Sequence, residues 1–423
     1  MVKQQLRSPN TDVKISDVFT PRRHDVNEDM YIPRGEHEEN LLDSIFGSMH
    51  SLLFGESGSG KSWLYKSVFQ KNKVHYKVVN CARASTNDSL IDEIFDKCVP
   101  AGLSQQTSFT ETQEAGIKLV ATGKLSKQSS YEVKTVDKLL ASFEAMNVNA
   151  NGEPSILVFD NLELIVENEK LMSELADIII LLDDETYAKN KVKFLIVGVP
   201  NDVIGYFSKV KNSSSVANRL EEIEKLVSFE PRQVANFVYK GLNEQLKLGC
   251  NQEVINDITS HVYNVTLGVP QRVHEYCECL TKSLKASNWQ YDSEKTKNDA
   301  DLRWLKKGLR NCYSVVESHL NSSNTTDARR NQIIYALGTK AVHQVDTASI
   351  ASVFKHEFPD IKVNSASGIG KALNHLASGE SPLLTPIKHS KSFSVVDPRY
   401  IMCIRIMLYR GSDGSIKKKP FRM

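Results

Sequence analysis

LLFGESGSGKSWLYKSVF, residues 52–69, combines an apolar run, a glycine-rich loop and a helical pattern. The apolar start is typical of a buried strand, and Trp63, Leu64 and Val68 then follow at helical spacing. Residues 55–62 fit the pattern G-x-x-x-x-G-K-[ST] in the strand–loop–helix context that the pattern requires. The stretch therefore predicts a phosphate-binding loop in an α/β sheet.

The loop residues suit a nucleoside triphosphate. Glycines let the backbone wrap around a phosphate with its N–H groups pointing inward, and the helix N-terminus adds partial positive charge. We expect Lys61 to reach the β- and γ-phosphates, and the Ser62 hydroxyl to ligate Mg²⁺. The predicted binding loop consists of Gly55, Glu56, Ser57, Gly58, Ser59, Gly60, Lys61 and Ser62.

A second strand supplies a carboxylate. Within PSILVFDNLELI, residues 154–165, the run from Ile156 to Phe159 is continuously apolar, as expected for a strand buried on both faces. Asp160 follows at the carboxyl end, where ligands bind in open α/β sheets. We therefore predict Asp160 as a Mg²⁺ ligand, in preference to a simple turn residue.

The position after Asp160 is unusual. Many P-loop ATPases place a glutamate there to polarise the attacking water, whereas this chain has Asn161, which cannot accept a proton in that role. Hydrolysis is accordingly expected to be slow. Glu163 either reaches into the site as the base or is a solvated turn residue, and the sequence leaves both interpretations open.

Composition bounds the remaining possibilities. A chain of 423 residues with 40% apolar and 25% charged residues predicts a globular protein of two or three domains. Its net charge of +2 favours no partner class. We find no apolar stretch long enough to span a membrane and no apolar signal core near the start, so a cytoplasmic protein without membrane contact is expected. Seven scattered cysteines agree, and the single close pair, Cys277 and Cys279, is a weak metal signal.

Further candidates lie downstream. Residues 193–207 contain a third apolar strand pattern, followed within that stretch by Asn201. Arg219 precedes a short strand expected around Leu226 to Phe229, and three helical patterns extend from residue 232 to about 287, the last opening near Arg272. The absence of an LSGGQ-like signature and of an N-K-x-D stretch disfavours ABC-type ATPases and guanine-specific GTPases.

This order of motifs resembles the AAA+ ATPases over about residues 19–287. Within them it is most similar to the origin-recognition initiators and the related signal-transduction ATPases. VFTPRRHDVNEDMYIPRGEHEENLLDSI, residues 18–45, is similar to the segment that frames the adenine there, and implies a nucleotide contact for Arg34. The resemblance implies ATP and Mg²⁺ as cofactors and self-association in ATP.

The resemblance also implies a role for each matching residue. Lys61 and Ser62 match Walker A, Asp160 matches Walker B, Asn201 matches sensor 1, Arg272 matches sensor 2, and Arg219 is a candidate arginine finger for a neighbouring subunit. Arg219 has an alternative interpretation, a helix-surface arginine paired with Glu221 or Glu222.

The expected fold class is α/β, with a parallel P-loop AAA+ core, a helical lid and a C-terminal winged helix. The expected domains are an N-terminal extension (1–30), the core (31–230), the lid (231–290), a linker with a helix (291–329), and a winged helix with a basic tail (330–423). Residues 100–135 interrupt the core as a hairpin-like insertion. This insertion is either a tolerated surface loop or a contact for DNA or a partner.

Two functions follow from the resemblance. The first is an ATP-binding switch that regulates a partner effector, as in prokaryotic antiviral defence. The alternative is an initiator, loader or transposition-type ATPase that binds DNA through its winged helix. The predicted third helix of that domain offers Lys371, Asn374 and His375, and its wing offers Lys388, His389 and Lys391. The same domain could equally serve protein contacts.

Overall fold

The computed structural model describes residues 2–9, 13–99, 137–198, 207, 213–321, 329–339, 344–359 and 366–420. The predicted insertion at residues 100–135 lies outside these ranges. Contacts divide the chain into two compact units. We call Pro33–Val227 the sheet unit, and Met1–Ile32 together with Ser228–Met423 the helical unit. No helix in the described ranges has the length and apolar character needed to cross a membrane.

The regular elements are numbered in chain order. The strands are β1 (Lys3–Gln5), β2 (His50–Phe54), β3 (His75–Asn80), β4 (Ser155–Asp160), β5 (Val192–Gly198), β6 (Leu220–Glu222), β7 (Gln290–Asp292), β8 (Gln344–Val345), β9 (Leu384–Pro386), β10 (Phe393–Val395), β11 (Leu408–Arg410) and β12 (Ile416–Lys418). The helices of the sheet unit are α2 (Glu36–Phe46), α3 (Lys61–Lys71), α4 (Cys81–Asn87), α5 (Leu90–Cys98), α6 (Lys138–Asn149), α7 (Glu169–Leu181), α8 (Glu185–Ala188) and α9 (Ser213–Ala217). Those of the helical unit are α1 (Ile15–Val18), α10 (Pro231–Tyr239), α11 (Gln252–Thr266), α12 (Pro270–Ala286), α13 (Ser293–Lys307), α14 (Arg310–His319), α15 (Arg329–Thr339), α16 (Thr347–Glu357), α17 (Ala366–Leu376) and α18 (Pro398–Met407).

A five-stranded parallel sheet organises the sheet unit, with the strand order β3-β4-β5-β2-β6. The apolar run in β4 is buried on both faces, because alternate side chains enter two different cores. Leu157 and Phe159 pack on one side, and Ile156 and Val158 pack on the other. The predicted fold class, a parallel P-loop sheet with flanking helices, is confirmed.

Helices cover both faces of the sheet. Leu41 of α2 and Leu64 of α3 belong to the core on one face. Ile94 of α5, Phe143 of α6 and Leu175 of α7 belong to the core on the other face. These layers leave the carboxyl ends of the parallel strands as the edge where polar side chains gather.

The edge strand β6 differs from the sequence prediction. Its residues are Leu220–Glu222, paired in parallel with β2, whereas a strand was expected around Leu226 to Phe229. Leu226 forms only an isolated bridge with Gly55. Burial does not distinguish the two segments, because Leu226 and Phe229 are buried as Leu220 is. The difference lies in the backbone pairing, in which His50 to Leu52 of β2 are in register with Leu220 to Glu222.

The helical unit is built around α12, which is buried along most of its length. Tyr276 of this helix meets Trp304 of α13 edge to face at a centroid distance of 5.4 Å. The start of the chain joins the unit because β1 pairs with β7 in antiparallel register. Aromatic contacts and backbone pairing together tie the first residues to the helices after residue 228.

The C-terminal part contains three helices, α15 to α17, and a three-stranded antiparallel sheet of order β8-β10-β9. This order of elements is the one expected for a winged helix, and that assignment stays a prediction. The closing helix expected in DPRYIMCIRIMLYRG is present as α18. The predicted basic tail is a hairpin, β11–β12, whose Lys417, Lys418 and Lys419 pair with Asp413, Glu317 and Asp301.

A buried carboxylate connects this hairpin to the helices. Asp301 is 1% exposed and accepts hydrogen bonds from His261 Nε2 (2.8 Å), Tyr276 Oη (2.7 Å) and Lys419 Nζ (3.1 Å). Burial by itself raises the pKa of Asp301, but the bonds and charges of His261 and Lys419 outweigh it and hold the pKa below its ordinary value. The ionised form is therefore the stabilising one.

Asp301→Ala is expected to lower the free energy of unfolding by about 2–4 kcal/mol, because it leaves the buried Tyr276 hydroxyl and the partly exposed His261 and Lys419 without their acceptor. The pKa of Asp301 is lower in the folded than in the unfolded protein, so the ionised carboxylate stabilises the fold. This stabilisation is present above the unfolded-state pKa of about 4 and is lost as the pH falls below it. Urea unfolding across this range measures both effects. The control is Asp299→Ala on the same helix, where the side chain is exposed. Equal stabilities of the two variants would contradict the assigned role.

Candidate functional site

The glycine-rich loop follows β2 directly and reverses the chain. Gly58 and Gly60 have φ values of 83° and 96°, in the region that side chains rarely adopt. A Cβ added at Gly55 would lie 2.5 Å from the carbonyl oxygen of Leu226, so the backbone there passes too close for any side chain. Helix α3 then begins at Lys61, and its first N–H groups are directed toward the loop.

Lys61 lies inside the loop. Its Nζ donates to the carbonyl oxygens of Gly55 (2.7 Å) and Glu56 (3.1 Å). Burial lowers the pKa of Lys61, and the carboxylates of Glu163, Asp160 and Glu56 act in the opposite direction. The lysine is thus surrounded by loop carbonyls and by carboxylates from the end of β4.

The Ser59 hydroxyl is a buried polar group of the loop that lacks a hydrogen-bond partner among the described residues. The side chain is 3% exposed, and its Oγ has no hydrogen-bond partner among the described residues. A buried hydroxyl without a partner costs about 1–3 kcal/mol. An oxygen-rich ligand held by the loop would remove that cost, so the geometry fits a bound phosphate.

Asp160 ends β4, and β4 is separated from the loop strand β2 by β5 alone. The carboxyl ends of β4 and β2 are therefore two strand spacings, or about 10 Å, apart. Ser62 begins α3 on the loop side, so a hydroxyl and a carboxylate approach the same edge of the sheet. No group of three or more His, Cys, Asp or Glu in the described ranges is arranged to hold a metal. This oxygen donor set suits Mg²⁺, which is commonly bound by one or two protein oxygens, waters and substrate phosphates.

Asn161 and Asn80 form a pair that the sequence did not indicate. Asn161 has a left-handed backbone with φ of 63°, and its N–H donates to Asp160 Oδ1 at 2.9 Å. Its side-chain amide donates to Asn80 Oδ1 at 3.4 Å. Asn80 ends β3, which is paired in register with β4, and this register brings it beside Asp160. A polar residue directly after the apolar pair Val78 and Val79 was the available signal.

Glu163 lies in a short 3₁₀ turn, Leu162–Leu164, immediately after Asn161. The flanking Leu162 and Ile165 are fully buried, whereas the Glu163 side chain is exposed. Glu163 and Asp160 both influence Lys61, as noted above. The structure therefore brings three sequence-predicted residues, Lys61, Asp160 and Glu163, to one edge of the sheet.

Arg34 lies near the loop but is engaged elsewhere in this structure. Its guanidinium donates to the carbonyl oxygen of Val227, and its backbone N–H donates to Glu38 Oε1 at 3.2 Å. Val227 immediately follows the part of the chain that contacts Gly55. The adenine contact expected for Arg34 stays a prediction.

Arg219 lies at the opposite edge of the sheet from the loop. Its carbonyl oxygen accepts from the N–H of His50, at the amino end of β2. Its side chain donates to Asp183 Oδ2 (2.6 Å) and to the carbonyl oxygen of Ser215 (2.5 Å). The pairing considered from sequence, with Glu221 or Glu222, is therefore replaced by a pairing with Asp183.

Arg272 belongs to the helical unit, at the start of α12. Its Nη1 donates to both carboxylate oxygens of Glu275, at 2.8 and 2.9 Å, and only 11% of its side chain is exposed. Glu275 also accepts from Trp304 Nε1 at 3.3 Å. The sensor-2 role of Arg272 stays a prediction, as does the sensor-1 role of Asn201, which lies outside the described residues.

Residues 45–205 match the family model described as AAA domain. No curated protein matched the chain. Solved structures of similar fold include the Walker-type ATPase PABY2304 of Pyrococcus abyssi, with 15% identity over 92% of this chain and 99% of that chain and a TM-score of 0.49. The ORC2 protein of Aeropyrum pernix is 12% identical over 92% of this chain and 96% of that chain, with a TM-score of 0.48. The RuvB Holliday junction branch migration motor of Thermotoga maritima is 10% identical over 90% and 97%, with a TM-score of 0.40. Because these scores are low, inferences about activity rest on this chain's own residues.

Proposed function

We propose that this chain, which contains a P-loop domain of the AAA type, binds ATP with Mg²⁺ on the sheet unit and hydrolyses it. The supporting observation is the convergence of the glycine loop, Lys61 and Asp160 at the carboxyl edge of one parallel sheet. Backbone N–H groups of the loop and of α3 surround the phosphates, and Lys61 moves its Nζ from loop carbonyls to phosphate oxygens.

Mg²⁺, when bound, neutralises charge that develops on the phosphate oxygens. Ser62 and Asp160 are the residues that would hold it, the first through its hydroxyl and the second through its carboxylate. Asp160 already accepts one backbone N–H, from Asn161, which fixes the orientation of the carboxylate. The site is therefore oriented before substrate arrives, and this reduces the reorganisation needed for catalysis.

Lys61→Ala is expected to abolish ATP binding, because it removes the principal side-chain charge on the phosphates. Titration calorimetry with ATP and Mg²⁺ measures the affinity. Lys71→Ala, at the far end of α3, is the matched control and should bind as the wild type does. Unchanged affinity in Lys61→Ala would exclude a phosphate-binding role for this loop.

We also propose that the chain self-associates in the presence of ATP, and that Arg219 contacts the nucleotide bound by a neighbouring subunit. Residues 50 and 55 stand at opposite ends of β2, so Arg219, bonded to His50, is about 16 Å from the start of the loop of its own chain. Its side chain is directed toward Asp183. This placement does not suit contact with the phosphates of its own chain, and it supports action on a neighbouring subunit.

Arg219→Ala is expected to retain ATP binding while hydrolysis and ATP-dependent oligomers both decrease. Lysine at this position should rescue poorly, because a guanidinium contacts phosphate through two parallel bonds. A sharper measurement mixes the Arg219→Ala and Lys61→Ala chains. At a mixed interface, the intact loop of the first chain can face the intact Arg219 of the second. Co-assembly without recovered ATP turnover would show that Arg219 does not act on a neighbour.

DNA binding is a second candidate, favoured by one surface of the C-terminal part. Lys371 and His375 of α17 are exposed, as are Lys388, His389 and Lys391 between β9 and β10. None of these side chains forms a salt bridge within the described residues. A helix with an adjacent basic loop is a common geometry for contacts with a duplex, in which the loop meets the phosphates.

Replacing Lys388 and Lys391 together by alanine is expected to weaken binding to duplex DNA of any sequence. The slope of log affinity against log salt concentration should fall by about 2, one for each phosphate contact. Fluorescence anisotropy at several salt concentrations measures the slope. Lys355→Ala on α16 is the control, and an unchanged slope in the double variant would exclude this surface.

The narrower role expected from the resemblance, control of an effector in antiviral defence, has no specific support in the described residues. It stays a prediction. The ATP-binding and DNA-binding proposals are independent of it.

A further inference from the structure

The turn after β4 contains a left-handed residue followed by a buried anchor. Asn161, with φ of 63°, reverses the chain in a conformation that asparagine adopts more readily than most L-residues. Leu162 and Ile165 are fully buried in the core beneath it. The packing of these two residues fixes the direction of the turn.

The direction of the turn determines which side chain faces the loop. Residues 162–164 pack against β5 and α4, and β5 is the strand between β4 and the loop strand β2. The turn therefore lies over the carboxyl end of β4, between α4 on the β3 side and β5 on the side of the glycine loop. Glu163 is its exposed, charged residue, while the Asn161 side chain is directed the other way, to Asn80.

The geometry points to Glu163 as the general base of ATP hydrolysis, with Asn161 and Asn80 as a pair that positions the turn. This inference rests on the proposed function and assigns a residue within it. In the step, the carboxylate of Glu163 accepts a proton from the attacking water. The water oxygen bonds to the γ-phosphorus as the bond from that phosphorus to the bridging oxygen breaks. The electron pair of the broken bond leaves on ADP, and phosphate is the second product.

The electrostatics of neighbouring groups agree with this placement. Among the carboxylates that oppose the burial effect on the pKa of Lys61, Glu163 has the largest influence. Burial raises the pKa of the Cys81 thiol at the start of α4 to about 12, and Asp160 and Glu163 add to that rise. Because Glu163 affects the pKa of both Lys61 and Cys81, its carboxylate lies at the carboxyl edge of the sheet, near the loop and near the ends of β3 and β4.

The test is Glu163→Gln in the full chain, with Glu167→Gln as the matched control at an exposed position of the same loop. We expect the ATP affinity of Glu163→Gln to remain within about threefold of the wild type, while its turnover falls by about 10²–10⁴-fold, the usual contribution of a general base. A loss of turnover below about threefold overturns the assignment.

A second variant separates a base from a merely structural charge. Asn161→Glu added to Glu163→Gln restores a carboxylate at the neighbouring position, but the left-handed turn directs residue 161 toward Asn80. We expect no recovery of turnover, and a recovery above about tenfold overturns the inference. A wild-type chain that binds no ATP contradicts the proposed function itself, whereas ATP binding with turnover unaffected by Glu163→Gln contradicts only this inference.

Discussion

The parallel pairing of β2 with β5 and of β5 with β4 determines where every candidate phosphate- and metal-binding group lies. Parallel strands end at the same edge, so the loop after β2 and the carboxylate after β4 meet there although about a hundred residues separate them along the chain. The alternate burial of β4 side chains in two cores makes this register costly to change, because a slip of one residue would exchange the two faces. Lys61 and Asp160 are positioned by that packing.

Left-handed backbone at the same edge occurs at residues that tolerate it. Gly58 and Gly60 accept positive φ at little cost, and Asn161 is of a residue type that adopts it more readily than most, while Leu162 and Ile165 are held in the core beneath. The loop and the turn are thus rigid for different reasons, the first through close backbone contact with Leu226 and the second through burial. Both arrangements orient polar groups in advance, which is the form of electrostatic stabilisation that catalysis uses most effectively.

Local features of the structure could be predicted from sequence, and long-range pairings could not. The glycine loop and Asp160 are each encoded within a dozen residues, by a motif and by an apolar run with a polar end. Asn80 was missed because its role depends on the register of β3 against β4. The Arg219–Asp183 pair and the β6 register depend on how distant segments fold back onto β2. Likewise, the lysines at 418 and 419 resemble a solvated tail in sequence, and only the fold shows Glu317 and Asp301 beside them.

We propose that the carboxylate ending β4 and the loop after β2 hold one magnesium nucleotide together. Calorimetric titration of the wild type and Asp160→Asn with ATP, in Mg²⁺ and in chelator, measures whether they do. We expect Mg²⁺ to strengthen ATP binding to the wild type by about tenfold or more, the equivalent of one charge-assisted contact, and to have a much smaller effect on Asp160→Asn. An equal effect of Mg²⁺ on both proteins would show that Asp160 does not share the metal with the loop.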